Sequence, residues 1–186
     1  MEIEIELEVE NSMKERLIDA VLDWPSQARD FERDGSLRDF YVQEATVDDW
    51  RVVVAQVLDG DYCARLELDG VAVQMPDAFE TVFGGEDGSR RYFMTFTVGD
   101  VVVDCHFFIK TEIEFSFEPT SVTALSLRAL LRFMIDVGEA TRKSVIMSPE
   151  NCPESPLFRY KAIQPQLRWL STSTSIPRMR VLRALR

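Results

Sequence analysis

Apolar and acidic residues alternate at the start of the chain. Ile3, Ile5, Leu7 and Val9 fall on one side and Glu2, Glu4, Glu6 and Glu8 on the other. That period of two is the signature of a half-buried strand. Ser12 with Glu15 then offers a capping box for a helix carrying Leu17, Ile18, Val21 and Leu22, which Pro25 should end. After a polar loop, Arg38, Phe40 and Val42 share one face of a strand, with Leu37, Asp39 and Tyr41 on the other. The strongest helical pattern follows. Thr46 and Asp49 form a second capping box, and Trp50, Val53, Val54, Val57 and Leu58 recur at helical spacing.

Strand patterns fill the middle of the chain. Tyr62, Ala64, Leu66 and Leu68 alternate with polar groups up to Asp69-Gly70, a favoured two-residue turn, and Val71, Val73 and Met75 lead back. A short helix with Phe79, Val82 and Phe83 should precede a flexible loop over 84–89. Tyr92 to Val98, Val101 to Ile109 and Ile113 to Phe117 then read as three strands of a meander, because their connections are too short for a crossover. Pro119-Thr120-Ser121 should cap a long helix with Leu127, Leu130, Leu131, Met134 and Ile135 inward. Gly138 is expected to mark the last turn of that helix or to strain it. Val145 to Met147 reads as a short edge strand, and Pro153, Pro156 and Pro165 argue against regular structure beyond it.

These elements predict an α+β fold: an antiparallel sheet of about five to seven strands with two to three helices packed mainly on one face. The expected organisation is one acidic domain over 1–151, an extended proline-containing segment over 152–170 laid on it, and a flexible basic tail over 171–186.

Charge sharpens this picture. The 186-residue chain carries a net charge of −11. Residues 151–186 hold seven Lys or Arg against Glu154 alone, so residues 1–150 carry −17. Such a body repels phosphate backbones and disfavours nucleic acid, while a partner with a basic surface suits it. The Glu2-Glu4-Glu6-Glu8 ladder, extended by Asp30, Glu32, Asp34, Asp39, Glu44, Asp48 and Asp49, would supply an anionic docking surface. The three cysteines, Cys63, Cys105 and Cys152, follow no metal or disulfide spacing and point to free thiols in a reducing compartment. With no signal-peptide pattern and no apolar run approaching the ~20 residues of a membrane span, the expected location is the cytoplasm.

Candidate chemistry centres on His106, the one histidine. On alternation, Asp104 and His106 share a strand face, and Glu112 and Glu114 share a face of the next strand. In the right register the four form an acid–histidine cluster able to hold a divalent cation, tune a base or bind a partner; a slip of one residue would separate them. Cys105, adjacent in the strand, points away from His106 and reads as a buried small hydrophobe. The glycine-rich loop carries Glu86 and Asp87 where a phosphate cradle needs amides and a lysine. No catalytic, metal or cofactor motif is present, and no cofactor is expected.

Three functions are compatible with these features. The foremost is a non-enzymatic protein-binding protein, in form an immunity or antidote protein that neutralises a basic, toxin-like partner. Its candidate contact residues are Asp104, His106, Glu112, Glu114, Asp48 and Asp49. An enzyme or metal-binding protein with a site around His106 is the second. The third is an assembly subunit that forms homo-oligomers through its C-terminal tail.

Overall fold

The computed structural model describes residues 2–84 and 91–170, with side chains from residue 8 onward. The loop expected over 84–89 and the basic tail over 171–186 therefore lie largely or wholly outside the described residues.

The first departure from expectation is at the start. Residues Glu2–Asp19 form one helix, α1, and not a strand followed by a helix. Glu, Leu and Met are good helix formers, and a helix satisfies its own backbone, whereas a strand needs a free sheet edge. Ser12 is therefore inside the helix and caps nothing; its hydroxyl accepts from Arg16 Nη2 at 3.2 Å. The expected acidic strand rail does not exist. Pro25 does not end this helix but sits in the first turn of a short second one, α2, Trp24–Gln27. Proline is tolerated there because that N–H has no helical partner. Gln27 is fully buried, yet it donates to Val21 O at 2.6 Å and accepts from Asp23 N at 3.0 Å.

Strand β1, Arg38–Gln43, leads to α3, Val47–Asp59. Both halves of the Thr46–Asp49 capping box are made, and Trp50, Val53, Val54 and Val57 are buried. The hairpin β2, Arg65–Leu68, and β3, Val71–Ala72, turns at Asp69 and Gly70 with φ of +52° and +83°. Two positive φ values are what a type I′ turn requires. After a single 3₁₀ turn at Phe79–Phe83 come β4, Tyr92–Val98, β5, Val101–His106, and β6, Glu112–Phe117. Pro119–Ser121 forms a separate 3₁₀ turn, and the long helix α4, Ala124–Thr141, is capped instead by Thr123 with Ser126.

The C-terminal part differs most from the sequence expectation. β7, Val145–Pro149, is an interior strand between β1 and a further hairpin, β8, Phe158–Lys161, and β9, Gln166–Trp169. The segment expected as an extended strap thus adds two strands to the sheet. Pro165 falls in the turn between them, where its missing N–H costs no ladder bond.

The nine strands form one antiparallel sheet in the order β3-β2-β4-β5-β6-β1-β7-β8-β9, and the fold is α+β with helices packed against the sheet. The register puts Phe40, Phe115, Cys105 and Met94 in one row and Met147 and Phe158 in its continuation, all on the helix side. There Phe133 of α4 packs against Phe40, Phe96 and Phe115 with ring centroids 5.4–5.9 Å apart. Gly138 stands in the last turn of α4, as expected, and its carbonyl accepts from the Arg142 and Lys143 amides that close the helix. A Cβ there would lie 2.5 Å from Tyr160 Cδ1, so glycine lets β8 approach α4.

Candidate functional site

The register that builds the core also decides what stands on the opposite face, which is helix-free among the described residues but whose middle is buried: Asp39 and Ser148 fully, Tyr41, Ser116 and Ile146 nearly so. One row runs Thr95–Asp104–Ser116–Asp39–Ser148 across β4, β5, β6, β1 and β7. The next row contains Phe93 and His106 on β4 and β5, then Glu114, Tyr41, Ile146, Arg159 and Arg168 on β6, β1, β7, β8 and β9. Cys105 opposite Phe115 is the last printed couple of β5 and β6, and one further step sets His106 beside Glu114. Glu112 pairs with Gln43 in the row beyond.

Four of the six candidate contact residues, Asp104, His106, Glu112 and Glu114, therefore share one sheet face. Asp48 and Asp49 do not join them, because α3 packs on the other side. Asp48 is paired with Arg51 at 2.9 Å, and Asp49 accepts from the Thr46 amide and hydroxyl, both at 2.7 Å. Asp30 and Asp34 are likewise engaged, with Trp169 Nε1 at 3.0 Å and Arg38 at 3.0 Å.

Asp39 sits at the middle of the acidic rows and is fully buried. Its Oδ2 accepts from the Tyr41 hydroxyl at 2.7 Å and the Asn151 amide at 2.8 Å, while Oδ1 finds no donor among the described residues. Burial and then the Asp39 carboxylate push the Tyr41 phenol far above its ordinary range. Burial, reinforced by Asp39, Glu112 and Glu150, raises Glu114 from 4.5 to about 7. These are the marks of like charges held together without a counterion. Thr95 donates to Asp104 at 3.1 Å, and among the described residues none of Asp39, Asp104, Glu112, Glu114 and Glu150 makes an ion pair.

His106 is positioned by aromatics. Its ring stacks on Phe108 at 4.7 Å and 7°, and Phe93 lies 4.8 Å away on the other strand. Burial lowers its pKa, opposed by Asp104 and Asp39. Phe108 is 62% exposed, so this stack presents apolar surface beside the acids. It borders a cleft of about 710 Å³ also lined by Phe83, Tyr92 and Phe107. Cys105 points into the core, as alternation demands, and burial raises its thiol pKa well above 9.0. No three His, Cys, Asp or Glu side chains converge on a metal-sized point among the described residues, and none of the described helices is long and apolar enough to cross a membrane.

Two features of the face escaped the sequence. Tyr41 was legible only as an alternating strand residue, and its partnership with Asp39 depends on the strand being covered. Arg159, Lys161 and Arg168 had counted only toward the basic C-terminal charge. The hairpin register places all three on the helix-free face, and none is ion-paired among the described residues. What the face offers chemically is an anionic strip without a counterion among the described residues, flanked by an aromatic stack at one end and a cationic hairpin at the other. Comparison with protein-family models, curated proteins and solved structures returns no match, so the reading of this face rests on its chemistry.

Proposed function

We propose that the chain is a non-enzymatic protein-binding protein that engages a basic partner through the half-buried acidic strip Asp104, Glu112 and Glu114, which lies beside the buried Asp39, with the Phe93–His106–Phe108 stack as its apolar border. The observation that carries this reading is Glu114, raised to about 7 by burial and by three neighbouring carboxylates. A carboxylate cluster that repels itself is relieved by a cation brought from outside, so part of the intramolecular repulsion becomes affinity. Exposed aromatic and apolar surface beside it is typical of the anchors of an interface. An antidote that covers the phosphate-binding surface of a basic toxin, such as a nuclease, is the form that suits this chemistry. Such a partner is steered by charge, associates fast and is released by salt.

The test is capture from native lysate by the wild-type chain and by a triple variant, Asp104→Lys, Glu112→Lys and Glu114→Lys, at about 50 mM and about 500 mM salt. A stoichiometric basic protein retained by wild type at low salt, weakened at high salt and absent from the variant supports the proposal. A partner retained equally by both proteins at both salt concentrations would show that the strip is not the contact.

A further inference from the structure

Beyond the buried middle of the sheet, toward β8 and β9, the surface opens again and its charge changes sign. Continuing the β1–β7–β8 pairing sets Gln43, Ser144 and Lys161 side by side in one outward row. The chain leaves α4 beside that row, at Arg142 and Lys143, and the turn between β8 and β9 brings Gln164 to it. Together they line an open groove of about 630 Å³. Gln43, Arg142, Ser144, Lys161 and Gln164 are all exposed. None of these five side chains has a hydrogen-bond or ion-pair partner among the described residues. Glu112, one strand beyond Gln43, closes the row on the acidic side, so an anion in the groove is held toward β8.

Cations outnumber acids here, in a body that is otherwise strongly acidic. Arg142, Lys143 and Lys161 face Glu44, the one acid among the described lining residues. Lys143 is drawn toward Asp49 at 3.7 Å, which leaves Arg142 and Lys161 for a ligand. Arg142 closes α4 with a φ of +56°, a conformation that favours glycine, so this cap accepts backbone strain and gains a guanidinium. On β8 and β9, Arg159 stands directly opposite Arg168, a like-charge pair with no counterion among the described residues. That pair raises the positive potential one row from Lys161. Five unpartnered donor side chains, two of them cationic, suit the three acceptor oxygens of a phosphate dianion. The groove also has an apolar wall, where Ile146 and Ala162 lie beside Ile163, which is 87% exposed. Inorganic phosphate has nothing to place on such a wall, whereas a phosphate ester does. A long polyanion is repelled by the rest of the body; a small one meets the groove alone. We infer that the groove binds a small organic phosphate, a monoester no larger than a nucleotide, with its phosphate on Arg142 and Lys161 and its organic part on Ile163. The inference depends neither on the acidic strip nor on a protein partner.

Titration of the isotope-labelled full chain with phenyl phosphate, followed by amide NMR shifts at about 20 mM salt, tests it. Saturable shifts are expected at Gln43, Ser144, Lys161 and Gln164, with a Kd of about 1 mM or below. Inorganic phosphate should move the same signals but bind at least about threefold more weakly, because it lacks the group that Ile163 receives. Arg142→Gln and Lys161→Gln should each weaken phenyl phosphate about fivefold or more, and Lys161→Arg should retain it. Arg51→Gln, at an exposed cation outside the groove, should leave binding unchanged. Amide signals that keep their wild-type positions elsewhere show that each variant is folded. Shifts that stay linear up to about 20 mM ligand, appear equally around Arg51, or persist in the Arg142→Gln, Lys161→Gln double variant would overturn the inference. Equal affinity for inorganic phosphate would overturn the assignment of an ester.

Discussion

The helix layer and the helix-free sheet face treat charge in opposite ways. Where α1 crosses α4, every buried or half-buried charge has a counterion. Lys14 lies within 2.6–2.9 Å of Glu10, Asp136 and Glu139, and Arg132 reaches Glu15 at 3.1 Å and Asp136 at 3.4 Å. Arg128 bridges Glu15 and Asp19. Burial pulls the Lys14 ammonium down, but its three carboxylates outweigh that and leave its pKa above the ordinary 10.5. On the sheet face, Asp39 has a carboxylate oxygen with no donor among the described residues, and Glu114 is driven toward neutrality. One region uses charge to hold elements together. The other holds like charges together, which raises the Glu114 carboxyl toward 7.

Removing a charge should therefore have opposite signs in the two regions. The largest effect is expected for Lys14→Met, which removes the ammonium from Glu139 and leaves Asp136 with Arg132 alone; urea denaturation should show a loss of about 2–3 kcal/mol. If that variant were as stable as wild type, the ion-pair layer would not be holding α1.

The intermediate effect belongs to Glu114 and has the reverse sign. Its neighbours from every side are Asp39 and Tyr41 on β1, Glu112 on β6, Asp104 and His106 on β5, and Glu150 after β7. Because Glu114 titrates near 7 when folded against an ordinary 4.5, the folded chain holds the extra proton between those values. Its contribution is fully favourable below about 4.5 and is lost as pH rises through about 7. His106, depressed below 6.5, acts oppositely, costing stability as pH falls below its ordinary value. Comparing wild type with Glu114→Gln isolates the contribution of Glu114. After discounting for partial exposure, the variant should be more stable by about 1–2 kcal/mol at pH 8, and this advantage should vanish by pH 4. An equal difference at both pH values would refute the repulsion.

The smallest effect is expected at Arg51, whose pairs with Asp48 and Glu80 at 2.9 and 2.7 Å are solvent-exposed. Arg51→Ala should change stability by no more than about 0.5 kcal/mol by the same denaturation measurement. A larger loss would mean that surface pairs also contribute to holding the helix layer.

Much of the fold was legible because its signals are local. The Thr46–Asp49 box, the Trp50-Val53-Val54-Val57 stripe and the Asp69-Gly70 turn depend on neighbours within a few residues, and each forms as expected. The strands Tyr92–Val98, Val101–His106 and Glu112–Phe117 were visible for the same reason, although the second ends at His106 and does not run on to Ile109 as expected. The misreadings arose where a local pattern had two outcomes. The Ile–Glu alternation of residues 3–9 fits a strand, but Glu and Leu also favour helix, and the helix continues from a well-formed C-terminal half. Pro153, Pro156 and Pro165 suggested an irregular strap, yet the prolines flank or turn the strands Phe158–Lys161 and Gln166–Trp169 and spare their interiors.

By itself the sequence determined the class of fold, the inward residues of most strands and the excess of acid over base, because periodicity and composition are properties of the chain. That Asp104, His106, Glu112 and Glu114 share a face was a matter of register, which only strand pairing decides. The insertion of β1 between β6 and β7, which buries Asp39 among carboxylates, brings together residues up to about 110 positions apart in sequence. So does the placement of Arg159 and Lys161 on the same face as Glu112 and Glu114. No local pattern encodes which distant strand will be a neighbour, so the charge map of this face is decided by the tertiary structure alone.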